Sequence, residues 1–581
     1  MKKKVKSFTA LLLTVSLLSS CTNASSIFSS SKESDYEEFI TVDVFDTLAN
    51  FEGIQSGWFA KIVKDKFNMQ LNIIAPNVSG GGETLFENRT AAGNLGDLII
   101  CSGENGTLQD LVDANLLYNM SGYIEDKNII QYKTAIDSLN SKVDQEGIWA
   151  IPSEVSSSSA TTPNAGLDLT YGPYLRWDLY AQLGYPALST LEDLLPVLKD
   201  MQALCPESES GNKTYAFSFF KDWDGNLMNN VKQPTCFYGY DEWGFVLAKA
   251  DGSSYQSIVD SDSEYVRVLK FYFDANQLGL VDPESRNQNY ESVFKKYEDG
   301  SVLFSFWPWL CKPAFNSTIH LSENKALLLA PIRDMQIFAY GCVPTGNHKI
   351  VMAIGNQAED PERLMDFIDW LYSPEGITLN GAQAADGTAG PEGLTWELTE
   401  DGPALTEYGW KALYTIGTLA PDELGGGLWS DGVSALNYQP VSKVDLDPYG
   451  YPYYYTLWDS FIEADGSLIE KDWSEKMGGA NSGIEYLKEN DMMIVAPGSS
   501  YVAPEESKEI ATIRSQCRTI IVRYSWDMIF AEDEETFNKL LKEMQNYVKD
   551  IGYEQVLSAD MASAKIQNDV RIQAALEFPE Q

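Results

Sequence analysis

The sequence is poor in histidine and lacks the short motifs of several enzyme classes. Only His320 and His348 occur in 581 residues, which leaves few candidates for histidine-based catalysis or a histidine-rich metal site. No HExxH zinc motif, GxSxG nucleophile elbow or GxxxxGKS/T phosphate loop is found. These absences argue against a zinc protease, a hydrolase built on that elbow and an ATPase.

Positive charge is also scarce. The chain has 42 Lys and Arg against 84 Asp and Glu, a net charge of −42. Such a field repels phosphate backbones, so we expect no nucleic-acid partner. Apolar residues make up 44% of the chain and charged residues 22%, as in ordinary soluble proteins. At 581 residues the chain is several times longer than one small domain.

Cysteines are few and widely spaced. Beyond Cys21 the chain contains Cys101, Cys205, Cys236, Cys311, Cys342 and Cys517, with no CxxC pair. These spacings do not match a zinc ribbon. An oxidising compartment permits disulfides, whose pairing the spacing leaves open, but a chain of this size does not need them. We expect most of these thiols to be buried and free.

Long apolar runs are missing, apart from a short one near the N-terminus. Lysines at positions 2, 3, 4 and 6 precede an apolar run from Phe8 to Leu18, which is too short to span ~30 Å of hydrocarbon comfortably. The pattern predicts a secretory signal peptide over residues 1–20. Leu18-Ser19-Ser20-Cys21 resembles the bacterial lipobox, whose cysteine is lipidated and becomes the mature N-terminus. The alternative is a plain signal peptide with an incidental cysteine.

The lipobox resemblance implies a membrane anchor. Acyl chains such as palmitate on Cys21 would hold the mature chain at the outer face of the cell membrane. Residues 21–36 are rich in serine and other polar residues, which is typical of a flexible tether. No later apolar stretch reaches 18 uninterrupted residues, so we expect the rest of the chain to be soluble, extracytoplasmic and lipid-anchored.

The body of the chain alternates between strand and helix patterns. Ile40–Phe45, Leu71–Ile74 and Asp97–Cys101 read as strands, with helical stretches at Trp58–Phe67 and from Glu83. Strand–helix–strand spacing of about 30 residues is typical of βαβ units in a parallel or mixed sheet. The pattern changes after Gly147–Pro152, and the polar run Ser156–Ser159 indicates a first passage between two lobes.

Further helices and strands are predicted in the second region. Ser189 and Glu192 fit a capping box, and Pro196 should kink or delay the helix that follows. Other predicted elements are an amphipathic helix with Tyr265, Val268, Leu269 and Tyr272 on one face, a buried strand over Ser301–Phe306, a helix capped by Asp360 and begun by Pro361, and a C-terminal helix with Phe537, Leu540, Leu541, Met544 and Val548 at helical spacing.

Several segments, taken in order, resemble one family. They are Tyr171–Asp178, Leu183–Pro186 with Thr190–Asp193, Ala275–Pro283, Lys296–Gly300 before Trp307-Pro308-Trp309, and Asp360–Gly376. Together with the lipobox and the βαβ start, they resemble the bacterial extracellular solute-binding proteins, family 1, of carbohydrate ABC transporters. The tail, with Trp526–Ala531 and Glu535–Asn538, resembles the larger lipoprotein branch of this class, which is linked to oligosaccharide uptake.

The resemblance implies an α/β, two-lobe, periplasmic-binding-protein-like fold of type II, with a ligand cleft between the lobes and extra C-terminal helices. The expected division is 37–155 for the first segment of lobe 1, 156–340 for the first segment of lobe 2, 341–400 for the second segment of lobe 1, and 401–581 for the rest of lobe 2 and an extension. The implied function is capture of a carbohydrate and its delivery to an ABC transporter permease. The implied assembly state is a monomer.

Candidate ligand contacts follow from sugar chemistry, because aromatic rings match apolar C–H faces and polar side chains match hydroxyls. The polar candidates are Asp46, Glu104, Asn105, Glu154 and Arg176, and the aromatic candidates are Trp177, Trp223, Trp307, Trp309 and Trp429. Each also has a structural interpretation. Asp46, Glu104 and Asn105 could cap helices, Arg176 could pair with Asp178, and the tryptophans could pack in a core.

The sequence contains little evidence for a metal or cofactor site. Asp222–Asn226 and Asp445–Asp447 contain fragments of a calcium-loop rhythm, but neither has the EF-hand ligand at the twelfth position. We therefore predict no cofactor and no metal. A surface-anchored glycoside hydrolase stays open as an alternative function, because such an enzyme needs only two carboxylates about 5–10 Å apart. A peptide or another polar solute stays open as the ligand.

The anchor gives the first testable prediction. Cys21→Ser should move the mature protein from the membrane fraction to the soluble fraction without unfolding it, because the predicted core begins only near Phe39. Fractionation after an alkaline wash, with circular dichroism of the released protein, checks both parts. A variant that stays in the washed membranes contradicts the lipobox interpretation.

Overall fold

The computed structural model describes residues 34–76, 78, 82–104, 106–382, 387–415, 417–503 and 506–580. The predicted signal peptide, Cys21 and Asn105 therefore lie outside the described residues, as does most of the predicted tether. None of the described helices is long and apolar enough to cross a membrane.

The described strands, in chain order, are β1 Ile40–Asp46, β2 Gly53–Ile54, β3 Met69–Ile74, β4 Leu98–Cys101, β5 Ile151–Ser153, β6 Tyr174–Arg176, β7 Tyr240–Trp243, β8 Val246–Lys249, β9 Tyr255–Ser257, β10 Phe304–Ser305, β11 Leu327–Leu329, β12 Ile337–Tyr340, β13 Asn347–Ile354, β14 Trp396–Thr399, β15 Gly402–Leu405 and β16 Met493–Ala496.

The described α-helices are α1 Gly57–Phe67, α2 Gly82–Ala91, α3 Thr107–Asp113, α4 Lys133–Asn140, α5 Trp177–Gln182, α6 Leu194–Leu204, α7 Asn229–Thr235, α8 Glu264–Gln277, α9 Tyr290–Glu298, α10 Pro308–Phe315, α11 Thr318–Ser322, α12 Pro361–Leu371, α13 Pro374–Asn380, α14 Glu407–Tyr414, α15 Asp459–Asp465, α16 Leu468–Lys476, α17 Gly483–Glu489, α18 Lys508–Ile529, α19 Glu534–Ile551 and α20 Tyr553–Glu577. Short 3-10 turns lie at Met120–Gly122, Asn128–Tyr132, Leu191–Asp193, Cys236–Tyr238, Pro283–Arg286, Asp422–Leu424, Ser430–Gly432 and Tyr455–Leu457.

Lobe 1 is built on a six-stranded mixed sheet in the order β2-β3-β1-β4-β13-β5. β1 is parallel to both β3 and β4, while β13 runs antiparallel to β4 and to β5. The alternation of β1 buries Val42 and Val44, and α1 adds Trp58 and Phe59 to the same core. The βαβ units predicted from the sequence are present.

The second-segment helix of lobe 1 also forms as its capping residues predict. Asp360 accepts a hydrogen bond from the Arg363 amide at 3.1 Å, and Pro361 begins α12. The helix buries Leu364, Phe367, Ile368 and Leu371 against the sheet. A proline at the first helical position fits here because that residue has no intrahelical partner for an amide.

Lobe 2 contains small sheets wrapped by helices, among them β10-β6-β11, β7-β8-β9 and β12-β16. The predicted face of α8 is buried in its core, and the predicted C-terminal helix corresponds to α19. The predicted strand over Ser301–Phe306 is buried but reduces to the two-residue β10. These helices and sheets share one hydrophobic core.

The predicted capping box lies one residue away from its observed position. Asp193, and not Glu192, accepts from the backbone amides of Ser189 and Thr190, at 2.8 and 3.0 Å. Glu192 instead forms an ion pair with the Arg267 guanidinium, so its carboxylate does not take part in the cap. Pro196 falls in the first turn of α6, where proline causes no break.

Two chain segments cross side by side between the lobes. The Cys342 amide donates to the Thr162 carbonyl at 2.8 Å, and the Asn164 amide donates to the Tyr340 carbonyl at 3.0 Å. Val155 belongs to the core of lobe 1, while Ile337 and Ala339 belong to the core of lobe 2. The crossings therefore lie in the segments 156–164 and 340–346.

The region after residue 400 does not follow the expected division. Residues 402–461 pack with lobe 1, and lobe 2 resumes only at α16, where Ile469 and Trp473 enter its core. The reason is aromatic packing: the Trp429 ring stacks on Trp58, and the Tyr438 hydroxyl lies 2.6 Å from the hydroxyl of Tyr372. A third crossing therefore falls between Phe461 and Ile469.

The cysteines in the described part of the chain are free, as expected for a chain that does not need disulfides for its stability. Cys101, Cys236, Cys311, Cys342 and Cys517 are buried, while Cys205 is half-buried. Burial raises the pKa of the Cys101, Cys236 and Cys311 thiols to about 12, so these side chains act as small apolar groups of the core.

Candidate functional site

Three of the predicted polar residues lie at one edge of the lobe 1 sheet. Asp46 ends β1, Glu104 follows β4 by three residues, and Glu154 directly follows β5. β4 is parallel to β1, and β4 and β5 are both antiparallel to β13. All three strands therefore end at the same edge, which is where open α/β sheets bind ligands.

Asp46 is enclosed completely, with 0% of its surface exposed. Its Oδ1 accepts from the Leu48 amide at 2.8 Å, whereas its Oδ2 has no hydrogen-bond partner among the described residues. Burial raises the pKa of this carboxyl to about 7. The side chain holds the loop after β1 rather than capping a helix, and it keeps one acceptor oxygen unused.

Glu104 and Glu154 lie beside a buried histidine at the same edge. The His348 carbonyl accepts from the Gly103 amide, and the His348 Nδ1 lies 2.6 Å from the Lys142 Nζ. Burial, with a smaller effect of Lys142, lowers the pKa of His348 to about 4, so the ring is neutral at pH 7. Glu154 is exposed and accepts from the Asn347 amide group at 3.3 Å.

Lobe 2 contains a cluster of aromatic rings that we name the aromatic platform: Phe220, Trp223, Tyr290, Trp307 and Trp309. Trp307 is almost fully buried, and its ring centroid lies 5.6 Å from that of Trp223 and 5.0 Å from that of Trp309. Trp223 also stacks on Tyr290 at 4.9 Å. Trp223 and Trp309 are each 43% exposed, so the platform offers two indole rings to solvent on a packed base.

A helix start positions Trp309, and carboxylate side chains that accept from backbone amides position the loop of Trp223. Trp309 is the second residue of α10, which begins at Pro308. On one side of Trp223, Asp222 accepts from the Tyr290 amide at 2.8 Å; on the other, Asp224 accepts from the Asn229 amide at 2.9 Å. The carboxylates of the calcium-like fragment thus hold the loop that carries Trp223.

Arg176 and Trp177 lie inside lobe 2, contrary to their predicted role as ligand contacts. The Arg176 guanidinium makes a two-bond ion pair with Asp178, at 2.8 and 2.7 Å, and stacks on Phe315. Trp177 is only 1% exposed, and its Nε1 donates to Asp472 at 2.7 Å. Both side chains have the structural role that the sequence left open as an alternative.

Trp429 is likewise enclosed, in lobe 1. Its ring stacks on Trp58 with a centroid distance of 4.6 Å and an interplanar angle of 17°. Its carbonyl accepts from the Trp58 Nε1 at 3.0 Å. The three-glycine segment before Trp429 therefore leads into a covering layer of lobe 1, and the ring is not on the surface of a cleft.

Sequence reasoning missed Phe220 and Tyr290 as members of the platform. Tyr290 is the first residue of α9, with Asn289 as its N-cap, a position comparable to that of Trp309 in α10. An aromatic residue at the start of a helix was the available signal. Phe220 carried none, because its ring packs against Trp223 only in the folded lobe.

No metal centre is found among the described residues, where no group of three or more His, Cys, Asp or Glu side chains could hold an ion. The second calcium-like fragment has another role, since Asp445 accepts from the Ser156 hydroxyl at 2.6 Å and from the Ser157 amide at 2.9 Å. It thereby links the first crossing to the region after residue 400.

Comparisons with solved structures identify the fold. The substrate-binding protein FusA of S. pneumoniae in complex with kestose matches with a TM-score of 0.55 and 14% identity, over 92% of this chain and all of that one. An HMO-binding solute-binding protein from Bifidobacterium longum infantis gives 0.54 and 13%, over 92% and 100%. Alginate-binding protein AlgQ2 gives 0.50 and 15%, over 91% and 99%.

The chain has the fold of ABC-transporter solute-binding proteins. The α/β, two-lobe architecture expected from the family resemblance is thereby confirmed. No family model matches the sequence, and no curated protein matches it. At these identities the comparison establishes the fold, and the ligand has to be argued from the site.

The buried Asp46 gives a pH-dependent prediction. Its pKa is about 7 in the folded protein, against 3.8 for the free side chain, so the folded state holds the extra proton between these values. The contribution of Asp46 to the free energy of unfolding therefore falls as the pH rises from about 4 to about 7. Asp46→Asn should abolish this pH dependence. Between pH 5 and pH 8 the free energy of unfolding of the variant should therefore rise by about 2 kcal/mol relative to that of the parent.

Urea unfolding at pH 5 and pH 8 measures this difference. Asp126→Asn serves as the control, because Asp126 is exposed on lobe 1. If the parent and Asp46→Asn lose stability in parallel across this range, the buried carboxyl does not titrate near neutrality and this description of the edge is wrong.

Proposed function

We propose that this protein captures an oligosaccharide between its lobes and delivers it to an ABC transporter permease. The observation that carries the proposal is the pair of half-exposed rings, Trp223 and Trp309, held on the buried Trp307. Large apolar side chains left in contact with water on a rigid base are typical of ligand sites. The similar structures include FusA in complex with kestose, an HMO-binding protein and an alginate-binding protein, which supports the same class of ligand.

The aromatic rings and the carboxylates of the protein match the two kinds of surface on a sugar. The C–H face of a pyranose or furanose ring loses little by leaving water, and a flat indole covers it. The hydroxyl rim needs hydrogen-bond partners wherever it is buried. At the lobe 1 edge Glu154 is exposed and Glu104 is half-buried, and their carboxylates would supply acceptors once the lobes close.

Capture requires no bond cleavage. A closed state that contacts the ligand with both lobes is stabilised by that ligand, and this shift is sufficient for transport. A glycoside hydrolase would instead place two carboxylates on either side of the scissile bond. Analysis of the sugar after incubation separates the two, because the proposed binding protein returns it unchanged.

The proposed location is the outer face of the cell membrane. It rests on the signal-like N-terminus and on Cys21 in a lipobox-like sequence. The proposed partners are the permease subunits of an ABC transporter, the membrane through the lipid anchor, and a carbohydrate, with the protein itself acting as a monomer. FusA and the HMO-binding protein are binding proteins of ABC transporters, which supports this choice of partner.

Substitutions in the platform test the proposal. A thermal-shift screen over oligosaccharides identifies a ligand, because binding to the native state alone raises the melting temperature. Trp223→Ala and Trp309→Ala should each weaken its affinity by roughly 2–4 kcal/mol, about thirty-fold to nearly a thousand-fold. Their melting temperatures should change little without ligand, because both rings are already half-exposed.

Two controls accompany this calorimetry. Trp243, a half-buried residue of β7 outside the platform, should tolerate alanine with unchanged affinity. Trp177→Ala should lower the melting temperature and leave the affinity unchanged, because its ring is enclosed in the core. Unchanged affinity in both Trp223→Ala and Trp309→Ala would show that the platform does not bind the sugar.

A further inference from the structure

A surface cavity of about 650 Å³ lies beside the aromatic platform, and we name it the basic cavity. Three parts of lobe 2 form it: the loop with Lys221 and Asp224, the turn with Arg286, and the face of α18 that carries Arg518, Arg523 and Asp527. Its volume is in the range of small-molecule sites.

The charge balance of this cavity is the reverse of that of the whole chain. Four cationic side chains and two carboxylates line it, whereas the chain has 42 Lys and Arg against 84 Asp and Glu. The four cations outnumber the two carboxylates, so the cavity keeps an excess of positive charge that an anionic ligand would balance. A cation-rich cavity in a strongly acidic protein therefore calls for a ligand-based explanation.

The two carboxylates of the cavity are already engaged. Asp527 forms an ion pair with Arg286. Asp224 accepts from the Trp526 Nε1 at 2.8 Å and from the Asn229 amide at 2.9 Å. Both carboxylates thus already have partners within the protein.

The remaining cations, Lys221, Arg518 and Arg523, form no ion pair in the part of the chain that the structure describes, although the charge of Lys221 acts on Asp224. The Lys221 ammonium lies over the Trp526 ring at 5.1 Å, and the Arg523 guanidinium lies over the Tyr524 ring at 4.7 Å. Neither these two side chains nor Arg518 makes an ion pair with a described acidic residue. All three are exposed at the rim of the cavity, so their N–H groups can reach an incoming anion.

The cavity and the platform share the same two chain segments. Trp223 lies between Lys221 and Asp224, which both line the cavity. Tyr290 of the platform is four residues beyond Arg286, and its amide donates to Asp222 at 2.8 Å. A sugar stacked on Trp223 would therefore lie on the same loop that contributes Lys221 and Asp224 to the basic cavity.

We propose that the captured oligosaccharide is anionic and that the basic cavity binds its carboxylate or sulfate group. This inference rests on the proposed function and narrows its ligand class. Guanidinium groups pair with planar and tetrahedral oxyanions through two parallel hydrogen bonds, and an ammonium adds a point charge. Local cations also offset the repulsion that a net charge of −42 exerts on an acidic sugar.

The experiment uses two small probes, sodium glucuronate for a uronate and sodium sulfate for a sulfate ester. Thermal unfolding is followed as each probe replaces sodium chloride at constant ionic strength. The proteins are the parent, the double variant Arg518→Gln/Arg523→Gln, and the control Lys539→Gln/Lys542→Gln, which removes two exposed charges from α19. We expect a saturable rise in melting temperature in the parent and the control that is lost in the Arg518/Arg523 variant.

Each outcome decides the question. A selective rise with glucuronate assigns a uronate, a selective rise with sulfate assigns a sulfate ester, and a rise with both assigns the shared oxyanion chemistry. Equal behaviour of the parent and the Arg518/Arg523 variant with both probes overturns the inference. If the platform variants lose sugar binding while the Arg518/Arg523 variant keeps it, the result supports carbohydrate capture and contradicts an anionic ligand. If the platform variants keep sugar binding, the proposed function itself fails.

Discussion

Gly341 lies so close to the first crossing segment that no side chain fits between the two chains. A Cβ atom built there would be 2.0 Å from the Ala160 carbonyl oxygen. The Gly341 amide in turn donates to the Ala496 carbonyl at 2.9 Å, and the Gly498 amide donates to the Ala160 carbonyl at 2.9 Å. Both early crossings are thus tied to the segment that follows β16.

This contact constrains the relative motion of the two lobes. The crossings carry no apolar core of their own, while each lobe has a separate one. Relative motion of the lobes therefore has to come from bending of a few loop residues, which is the usual form of hinge closure. The site on lobe 1 and the platform on lobe 2 stay internally rigid because each is built on packed elements.

The aromatic residues divide into two roles that their sequence positions do not separate. Trp58, Trp177 and Trp429 are enclosed and add apolar burial worth roughly 25 cal/mol per Å² of surface. Trp223 and Trp309 give up part of that stabilisation by staying half-exposed. The two exposed rings rest on buried neighbours, an arrangement that preorganises a binding surface and lowers the entropy cost of binding.

Local patterns predicted local features well. The strand alternation of β1, the caps of α12 and the position of Asp46, Glu104 and Glu154 at strand ends all follow from neighbouring residues. The roles of Trp177 and Trp429 and the packing of residues 402–461 depend on partners far along the chain, such as Asp472 and Trp58. No spacing rule reports those partners, so sequence alone could not distinguish a ligand platform from a core ring.

The most direct measurement of the central claim is small-angle scattering with and without a bound oligosaccharide, combined with mass analysis of the recovered sugar. Two lobes that close over a ligand predict a smaller radius of gyration at saturation and a sugar of unchanged mass. An unchanged radius at saturation would contradict capture by closure. Shortened sugar products would show that the protein is an enzyme.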